Sequence, residues 1–495
     1  MKYSIFRPIS IAALTALAVT GCTHAPAETS SPPVQWSACP EGVENPEDGP
    51  AQLQCATVPV PLDYDDPDGT QIDITISRLA SKNPEARRGL LLLNPGGPGG
   101  TGLDQPKFLV EQGIPQSVLD SYDLIGMDTR GVGHSSPISC GFTDDQDYYG
   151  SVPPHATNDA MFDEQSATAA EVAKRCAAGD DGRMSQVTTA NMSRDLDRIR
   201  DALGEDTASF LGYSYGTALG AAYASMFPET SDRVVLDSNI GDTHLDQNGI
   251  RRYGRGMEET FPDFAQWAAD RHDQYGLGRT PQEVREKYFT IADQLDRTPM
   301  AGLDGRAFRL GTFVTLYNPA SYDAAAEMWN SVLEPTDPAP TADEPIPTGA
   351  PSPYDNTWSV FLAVTCNDVE WPDDPADYRQ AVSEDRETYP LFGAAAANIM
   401  PCAFWESEPS EPPVGIVDEG PTNVLVAQNQ RDPVTPLRGG ELIDEKFGDR
   451  SRLLTVDGSG HGVFALGKNR CAASLVTDFL VDGVMPEQDV TCERE

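Results

Sequence analysis

Three residues of the types that carry out acyl transfer occur in the order serine, aspartate, histidine: Ser214, Asp432 and His461. Ser214 lies in the segment GYSYG (212–216), between an apolar run and an alanine-rich stretch. This context predicts a sharp strand-to-helix turn that projects the serine hydroxyl, with free N–H groups of the helix N-terminus beside it. The motif also arises by chance in a glycine-rich chain, so an ordinary glycine-rich turn is the alternative unless catalytic partners exist.

The partners would be a histidine base and a carboxylate that orients it. His461 follows a late strand and is flanked by glycines, which let a loop present the imidazole. Asp432 follows another strand and precedes a proline, which restrains its loop. In this hypothesis His461 takes the proton from Ser214 Oγ, and Asp432 fixes the tautomer of the imidazole. The alternatives are His134 as the base, Asp457 as the acid, and a helix-capping role for Asp432.

An acyl-transfer site also needs donors for the oxyanion. The continuous apolar run 89–93 leads directly into residues 94–100, NPGGPGG. So many glycines after a buried strand indicate that backbone approaches something closely. We therefore predict that the backbone N–H groups of Gly97 and Tyr215 form the oxyanion hole.

The elements that must position these residues follow from the hydrophobic pattern. Alternating or continuous apolar runs predict strands, and apolar residues at helical spacing predict helices. The predicted strands are 71–79, 89–93, 122–127, 208–211, 233–236, 423–427 and 452–456. The predicted helices are 193–203, 217–226, 257–275, 281–295, 322–333, 358–366, 375–388, a helix ending near 447, and 472–480. The region between Cys140 and Cys176 is predicted to be loop.

The order of these elements predicts the fold class. Strands alternate with helices as far as Ser238, which indicates an α/β fold with a mostly parallel sheet and helices on both faces. The order serine, aspartate, histidine is the one expected of an α/β-hydrolase. Residues 240–415 carry helical signals and are predicted to be an inserted helical cap. The core would then comprise 36–239 and 416–495. Ligands of open α/β sheets collect at the carboxyl ends of the strands, where the three candidate residues are predicted to lie.

Charge and composition exclude several classes of partner. The 495 residues carry a formal net charge of −42 at pH 7, which repels nucleic acid and anionic membranes. No C-x-x-C spacing suggests a metal site, so we expect neither a metal nor an organic cofactor. A monomer is expected.

The N-terminal segment predicts export. Residues 1–21 combine two basic residues with an uncharged run that is too short to span a bilayer, which is typical of a signal peptide. Residues 19–22, VTGC, resemble the lipobox of bacterial lipoproteins. That resemblance implies a lipid anchor on Cys22 at the outer face of the cytoplasmic membrane, with 22–35 as a tether. Secretion without an anchor is the alternative.

The cysteine count fits a protein that is exported to an oxidising compartment. Nine cysteines are present, and removing Cys22 leaves eight that can form four disulfides. Pairing of sequence neighbours is the simplest of 105 connectivities. It would join Cys39 to Cys55, Cys140 to Cys176, Cys366 to Cys402, and Cys471 to Cys492.

Five motifs together resemble a known family. They are NPGGPGG (94–100), DTRGVGHS (128–135), GYSYG (212–216), DPVTP (432–436) and GHG (460–462). The combination is similar to the exported tripeptidyl aminopeptidases of high-GC Gram-positive bacteria, which are relatives of proline iminopeptidase within the α/β-hydrolases. The resemblance runs from about Trp36 to Cys492. It implies a serine exopeptidase that removes short peptides from free N-termini, with the cap restricting access.

An aminopeptidase needs an anion for the ammonium group of its substrate, because an unpaired buried charge is costly. The segment CNDVEW (366–371) resembles a recurrent motif of that family, which makes Asp368 and Glu370 the candidates for amine recognition. The alternative is that both are solvated surface acids. Two other functions stay open: an esterase or lipase acting on acylated envelope material, and a catalytically idle binding lipoprotein.

Overall fold

Nine strands form one sheet in the computed structural model, which describes residues 34–45, 52–146, 148, 150–300, 303–333 and 349–495. In chain order they are β1 (Gln54–Pro61), β2 (Gln71–Leu79), β3 (Gly89–Asn94), β4 (Tyr122–Met127), β5 (Ala208–Tyr213), β6 (Ser231–Asp237), β7 (Val424–Arg431), β8 (Ser451–Ser459) and β9 (Val490–Cys492). Their spatial order is β1-β2-β4-β3-β5-β6-β7-β8-β9. The β1–β2 and β2–β4 pairs are antiparallel, and all the other neighbouring pairs are parallel.

Strand β3 shows why the sheet is covered on both faces. Its leucines are at most 2% exposed, so the strand is buried from both sides. Leu90 and Leu92 belong to one hydrophobic cluster, whereas Leu91 and Leu93 belong to a second. Because successive side chains of a strand point to opposite faces, the two clusters are the two sides of the sheet. The predicted α/β-hydrolase fold class is confirmed.

Among the described residues, five α-helices precede the end of β6 and two follow β7. The first five are α1 (Gln105–Glu111), α2 (Gln116–Ser121), α3 (Asp159–Gly179), α4 (Thr189–Ala202) and α5 (Tyr215–Met226). Helices α6 to α13 lie between β6 and β7: α6 (Gln247–Asp270), α7 (His272–Tyr275), α8 (Pro281–Arg297), α9 (Gly305–Thr315), α10 (Tyr322–Leu333), α11 (Asp355–Asn367), α12 (Pro375–Thr388) and α13 (Gly393–Ala396). The last two are α14 (Leu437–Phe447) and α15 (Arg470–Asp482).

The helices between β6 and β7 pack around aromatic residues that belong to the same hydrophobic cluster as one face of the sheet, and they also contact the sheet loops. The centroid of the Trp329 ring lies 5.2–6.2 Å from those of Phe261, Phe264 and Tyr288. Helix α6 packs directly against the loop that follows β7. The approach is so close that a β-carbon on Gly256 would collide with the carbonyl of Pro433. Residues 34–495 form a single compact unit.

Several elements differ from the sequence-based predictions. The region between Cys140 and Cys176 is not all loop, because α3 occupies its second half. Its buried face is made largely of small or polar residues such as Ala169 and Gln165, so its apolar stripe is narrow. Strand β1 was not predicted either. Two prolines interrupt it, and they are tolerated because β1 lies at the edge of the sheet. Strand β9 and helices α1, α2 and α9 are also additions.

Four disulfides link the described cysteines in the predicted neighbour pairs. They are Cys39–Cys55, Cys140–Cys176, Cys366–Cys402 and Cys471–Cys492. Each closes a short stretch of chain, with sequence separations from 16 to 36 residues. The last one ties the first turn of α15 to edge strand β9.

The predicted signal peptide and lipidated Cys22 lie outside the described residues, as does nearly all of the tether. Among the residues that are described, no helix has the length and apolar character needed to cross a bilayer.

Candidate active site

Ser214 occupies the turn between β5 and α5. Its backbone is left-handed, with φ 57° and ψ −124°, although it is not glycine. The flanking glycines permit this turn: a β-carbon on Gly212 would collide with the Gly216 carbonyl, and one on Gly216 would lie 2.9 Å from the Asn94 carbonyl oxygen. Ser214 is the N-cap residue of α5, but its side chain makes no capping hydrogen bond. The hydroxyl is therefore not committed to stabilising the helix.

The glycine-rich turn after β3 lies against this serine. A β-carbon on Gly96 (φ 99°) would lie 2.9 Å from Ser214 Cβ and 3.3 Å from Tyr215 N. The Gly96 N–H already donates to Asn94 Oδ1 at 3.0 Å, so it is occupied. Gly97 is then the candidate donor in this turn. Tyr215 is the first residue of α5, where an N–H has no acceptor within the helix.

Asp432 and His461 form a buried pair beyond the ends of β7 and β8. His461 Nδ1 lies 2.8 Å from Asp432 Oδ2, and Asp432 is fully buried. The other oxygen, Oδ1, accepts from the N–H groups of Val434 and Thr435 at 2.9 Å each, and the Thr435 hydroxyl donates to Oδ2. Helix α14 begins only at Leu437, so Asp432 stabilises the preceding turn and is not its N-cap. These bonds fix the orientation of the carboxylate plane.

This pair sets the protonation of the imidazole. Burial lowers the pKa of His461, but the charge and hydrogen bond of Asp432, together with the charge of Asp237, outweigh it and raise the pKa above its ordinary value. With Nδ1 bonded to Asp432, Nε2 is the nitrogen left to exchange a proton with a substrate or nucleophile.

Asp237, at the end of β6, holds the loop that carries His461. Its carboxylate is completely buried and accepts from the N–H of Val463 at 2.9 Å and from that of Phe464 at 2.7 Å. The neighbouring Ser238 accepts from the N–H of Gly462 at 2.8 Å. On its other side, the Asp237 carbonyl accepts from Ser214 N at 3.0 Å. The turn of the serine and the loop of the histidine are thus connected through two adjacent residues.

We expect Asp237→Asn to loosen this connection. An amide supplies one acceptor oxygen where the carboxylate supplied two, so buried donors lose partners at a cost of about 1–3 kcal/mol. Burial raises the pKa of Asp237 to about 7. Because this lies above the value of about 3.9 for an unfolded aspartate, wild-type stability falls as the pH rises through that interval, and the variant loses this dependence.

Urea unfolding of wild type and variant between pH 4 and 8 measures the free energy of unfolding and its dependence on pH. The same variant should lower the kinetic pKa of His461, because Asp237 contributes to raising it. Asp478→Asn is the control, since that exposed carboxylate of α15 accepts from Ser474 and not from the histidine loop. Unfolding curves of Asp237→Asn with an unchanged pH dependence would contradict this account.

The structure separates the rival candidates from this site. Asp457 bonds Arg431 at 2.7 Å and makes no recorded bond to His461, so it is not the acid partner. His134 donates its backbone N–H to Asp128 and stabilises the turn after β4.

The two predicted amine-binding acids lie in different environments. Asp368 is 6% exposed, and its two oxygens accept from Thr189 N at 2.8 Å and Thr189 Oγ1 at 2.5 Å. Thr189 Oγ1 also bonds the hydroxyl of Tyr215, so Asp368 lies behind the tyrosine that follows the serine. Glu370 is exposed.

Sequence reasoning missed residues that support the site through their contacts. Tyr317 is one: its carbonyl accepts from His461 N at 2.6 Å, and its ring meets the imidazole edge-on with centroids 5.4 Å apart. Asp237 and Ser238 are others. Their position at the end of a parallel strand was a usable signal, whereas Tyr317 lies in a helical region with no comparable mark. No cluster of three or more metal-ligating residues occurs within the described part of the chain.

Comparisons with known proteins agree with this geometry. The family model of TAP-like proteins matches residues 389–492. A tripeptidyl aminopeptidase of Streptomyces coelicolor is 31% identical over 95% of this chain and 88% of its own length. The serine protease Hip1 of Mycobacterium tuberculosis is 29% identical over 93% and 91%, and a carboxylesterase B of the same organism is 29% identical over 97% and 95%.

A mostly parallel sheet, a serine at a strand-to-helix turn, and a histidine–aspartate pair at later strand ends define a serine hydrolase of the α/β-hydrolase fold. The near full-length similarity narrows the class further. The chain belongs to the family of the tripeptidyl aminopeptidases.

Proposed function

We propose that this protein is a serine aminopeptidase that releases tripeptides from the free N-termini of peptides. The observation that carries the proposal is the buried His461–Asp432 pair at 2.8 Å. Asp432 and His461 follow β7 and β8, which lie two and three strands away in the sheet from β5, the strand that ends just before Ser214. Family membership supports the choice of peptides as substrates.

The proposed catalytic roles are those of a serine–histidine–aspartate triad. His461 Nε2 accepts the proton of Ser214 Oγ as that oxygen attacks the scissile carbonyl, and Asp432 stabilises the resulting imidazolium. The N–H groups of Gly97 and Tyr215 hold the oxyanion. His461 then passes the proton to the leaving amine. A water molecule next gives a proton to His461 and attacks the acyl-enzyme, which releases the acyl group and returns the proton to Ser214 Oγ.

The helical segment 240–415 acts in this proposal as a cap that limits access to N-termini. Three contacts support this. Helix α6 lies above the loop of Asp432, and Tyr317 lies on His461. Helix α11 lies against the glycine-rich turn, because a β-carbon on Gly99 would be 2.5 Å from the Thr357 carbonyl oxygen. The cap segment thus touches the loops around the site.

Export and a lipid anchor on Cys22 are also part of the proposal. The sequence of residues 1–22 supports them, and the four disulfides fit an oxidising compartment. Metabolic labelling with a fatty acid should mark the wild type and leave Cys22→Ser unlabelled. Labelling of both would assign the lipid elsewhere.

A matched substrate panel tests the reaction. It comprises a tripeptide p-nitroanilide with a free N-terminus, its acetylated form, a single-residue anilide and a short-chain p-nitrophenyl ester. We expect the free tripeptide to exceed the acetylated form in kcat/KM by about 100-fold or more, because a site built for an ammonium group is left unpaired by the blocked substrate. Turnover of the ester alone would favour an esterase, the function suggested by the name of the carboxylesterase B relative.

The carboxylate that receives the substrate amine is proposed to be Glu370 or Asp368. Asp368 is 6% exposed and both of its oxygens accept from Thr189, whereas Glu370 is exposed. We therefore expect Glu370→Gln to raise KM for the free tripeptide anilide about tenfold, at little change in kcat, because removing one charge pair costs about 1.4 kcal/mol.

The acetylated substrate is the control, since it carries no charge to lose. Equal effects on the two substrates, or none on either, would exclude Glu370. Measuring KM for the free and the acetylated substrate with Asp368→Asn would then test Asp368 as the carboxylate that binds the amine.

A further inference from the structure

A groove of about 940 Å³ runs past the face of His461 that carries Tyr317. Its walls come from the second half of α6, residues 317–322 of the cap segment, the end of β8 and the loop that follows it. His461 lines the groove, and Ser214 does not. The groove therefore reaches the base from a side that Ser214 does not line.

We propose that this groove binds the part of a peptide substrate that lies beyond the scissile bond. The inference rests on the proposed peptidase function. In that reaction His461 donates its proton to the leaving amine, so the leaving chain must pass beside the imidazole. A groove that contacts His461 without Ser214 lies where that chain departs.

The size and shape of the groove suit an extended peptide. Sites for drug-sized molecules occupy about 300–1,000 Å³, so this groove has room for several residues. The aromatic residues Trp267 and Tyr322 line the groove, and so do residues 458–462. Apolar side chains and backbone groups of a passing peptide would both find partners.

The charges in the groove are largely compensated, which suits a neutral peptide backbone. The Asp263 carboxylate accepts hydrogen bonds from Arg431 at 2.7 Å and from Arg494 at 2.9 Å, and Arg431 also donates to Asp457 at 2.7 Å. This network of two acids and two arginines has no formal net charge. A segment of peptide without charged side chains can therefore lie over it without leaving an unpaired ion.

One wall residue of the groove, Tyr317, also contacts the proposed catalytic base. Tyr317, in its wall, accepts a hydrogen bond from His461 N and packs its ring against the imidazole. A chain bound in the groove would contact the same segment that supports His461.

The test compares two substrates that share their first three residues: the tripeptide p-nitroanilide, and a peptide with four further neutral residues. Gln266→Trp introduces a bulky ring at an exposed position of the groove wall. We expect the ratio of kcat/KM for the long peptide to that for the anilide to fall about tenfold. The matched control is Gln282→Trp, an exposed position of α8 outside the groove lining, which should leave both values unchanged.

A second measurement does not depend on that variant folding well. By microscopic reversibility, a peptide amine bound in the groove can attack the acyl-enzyme, form a new amide and release Ser214 Oγ, which regains its proton through His461. A four-residue peptide added during anilide hydrolysis should therefore capture more acyl group than a single amino-acid amide at the same concentration. Equal capture, together with an unchanged substrate ratio in Gln266→Trp, would overturn the groove assignment. Failure of wild type to hydrolyse either substrate would instead overturn the proposed function.

Discussion

Replacing Ser214 with alanine is expected to lower kcat for the tripeptide anilide by about 10⁴- to 10⁶-fold, because the attacking oxygen is lost. The fold should survive the change. Ser214 makes no side-chain cap on α5, and alanine keeps the β-carbon in the same left-handed backbone. The residual rate would come from the oxyanion donors and substrate binding alone.

Two measurements separate this role from a structural one. An active-site phosphonate probe should label the wild type stoichiometrically and leave Ser214→Ala unlabelled, while thermal unfolding of the two proteins should coincide. Ser474→Ala, at an exposed position of α15, is the matched control and should behave as wild type. Retention of most activity by Ser214→Ala would refute the mechanism.

The strand ends were predictable because the central strands are buried on both faces. Continuous apolar runs such as 89–93 and 423–427 identify them, and a parallel sheet brings the residues that follow to one edge. Ser214, Asp432 and His461 accordingly follow β5, β7 and β8 in the structure. The predicted pairing of sequence-neighbouring cysteines is confirmed. Each pair joins two positions that are close in the chain.

What the sequence left open depends on contacts between distant segments. Asp237 is one acid among 77, and only its bonds to Val463 and Phe464 show that it supports the histidine loop. Asp368 shows the converse. Its motif suggested a ligand for an amine, yet its carboxylate is enclosed by Thr189, which no local pattern reveals.

Asp432→Asn is expected to lower kcat by about 10⁴-fold through the tautomer of His461. The turn dictates how the amide would sit. Oδ1 is held by the N–H groups of Val434 and Thr435, so the asparagine oxygen takes that place and its NH₂ group replaces Oδ2 opposite His461 Nδ1. Nδ1 must then accept, which puts the proton on Nε2, where it blocks transfer from Ser214.

The pH profile distinguishes this effect from simple loss of structure. In wild type the raised pKa of His461 means that kcat/KM, which needs the neutral imidazole, falls as the pH drops through a value above the ordinary 6.5. Without the Asp432 charge the lowering effect of burial remains, so the residual activity should persist to lower pH than wild type. Asp457→Asn is the matched control, because that carboxylate bonds Arg431. A comparable loss in both variants, or an unshifted profile in Asp432→Asn, would mean that Asp432 does not orient the base.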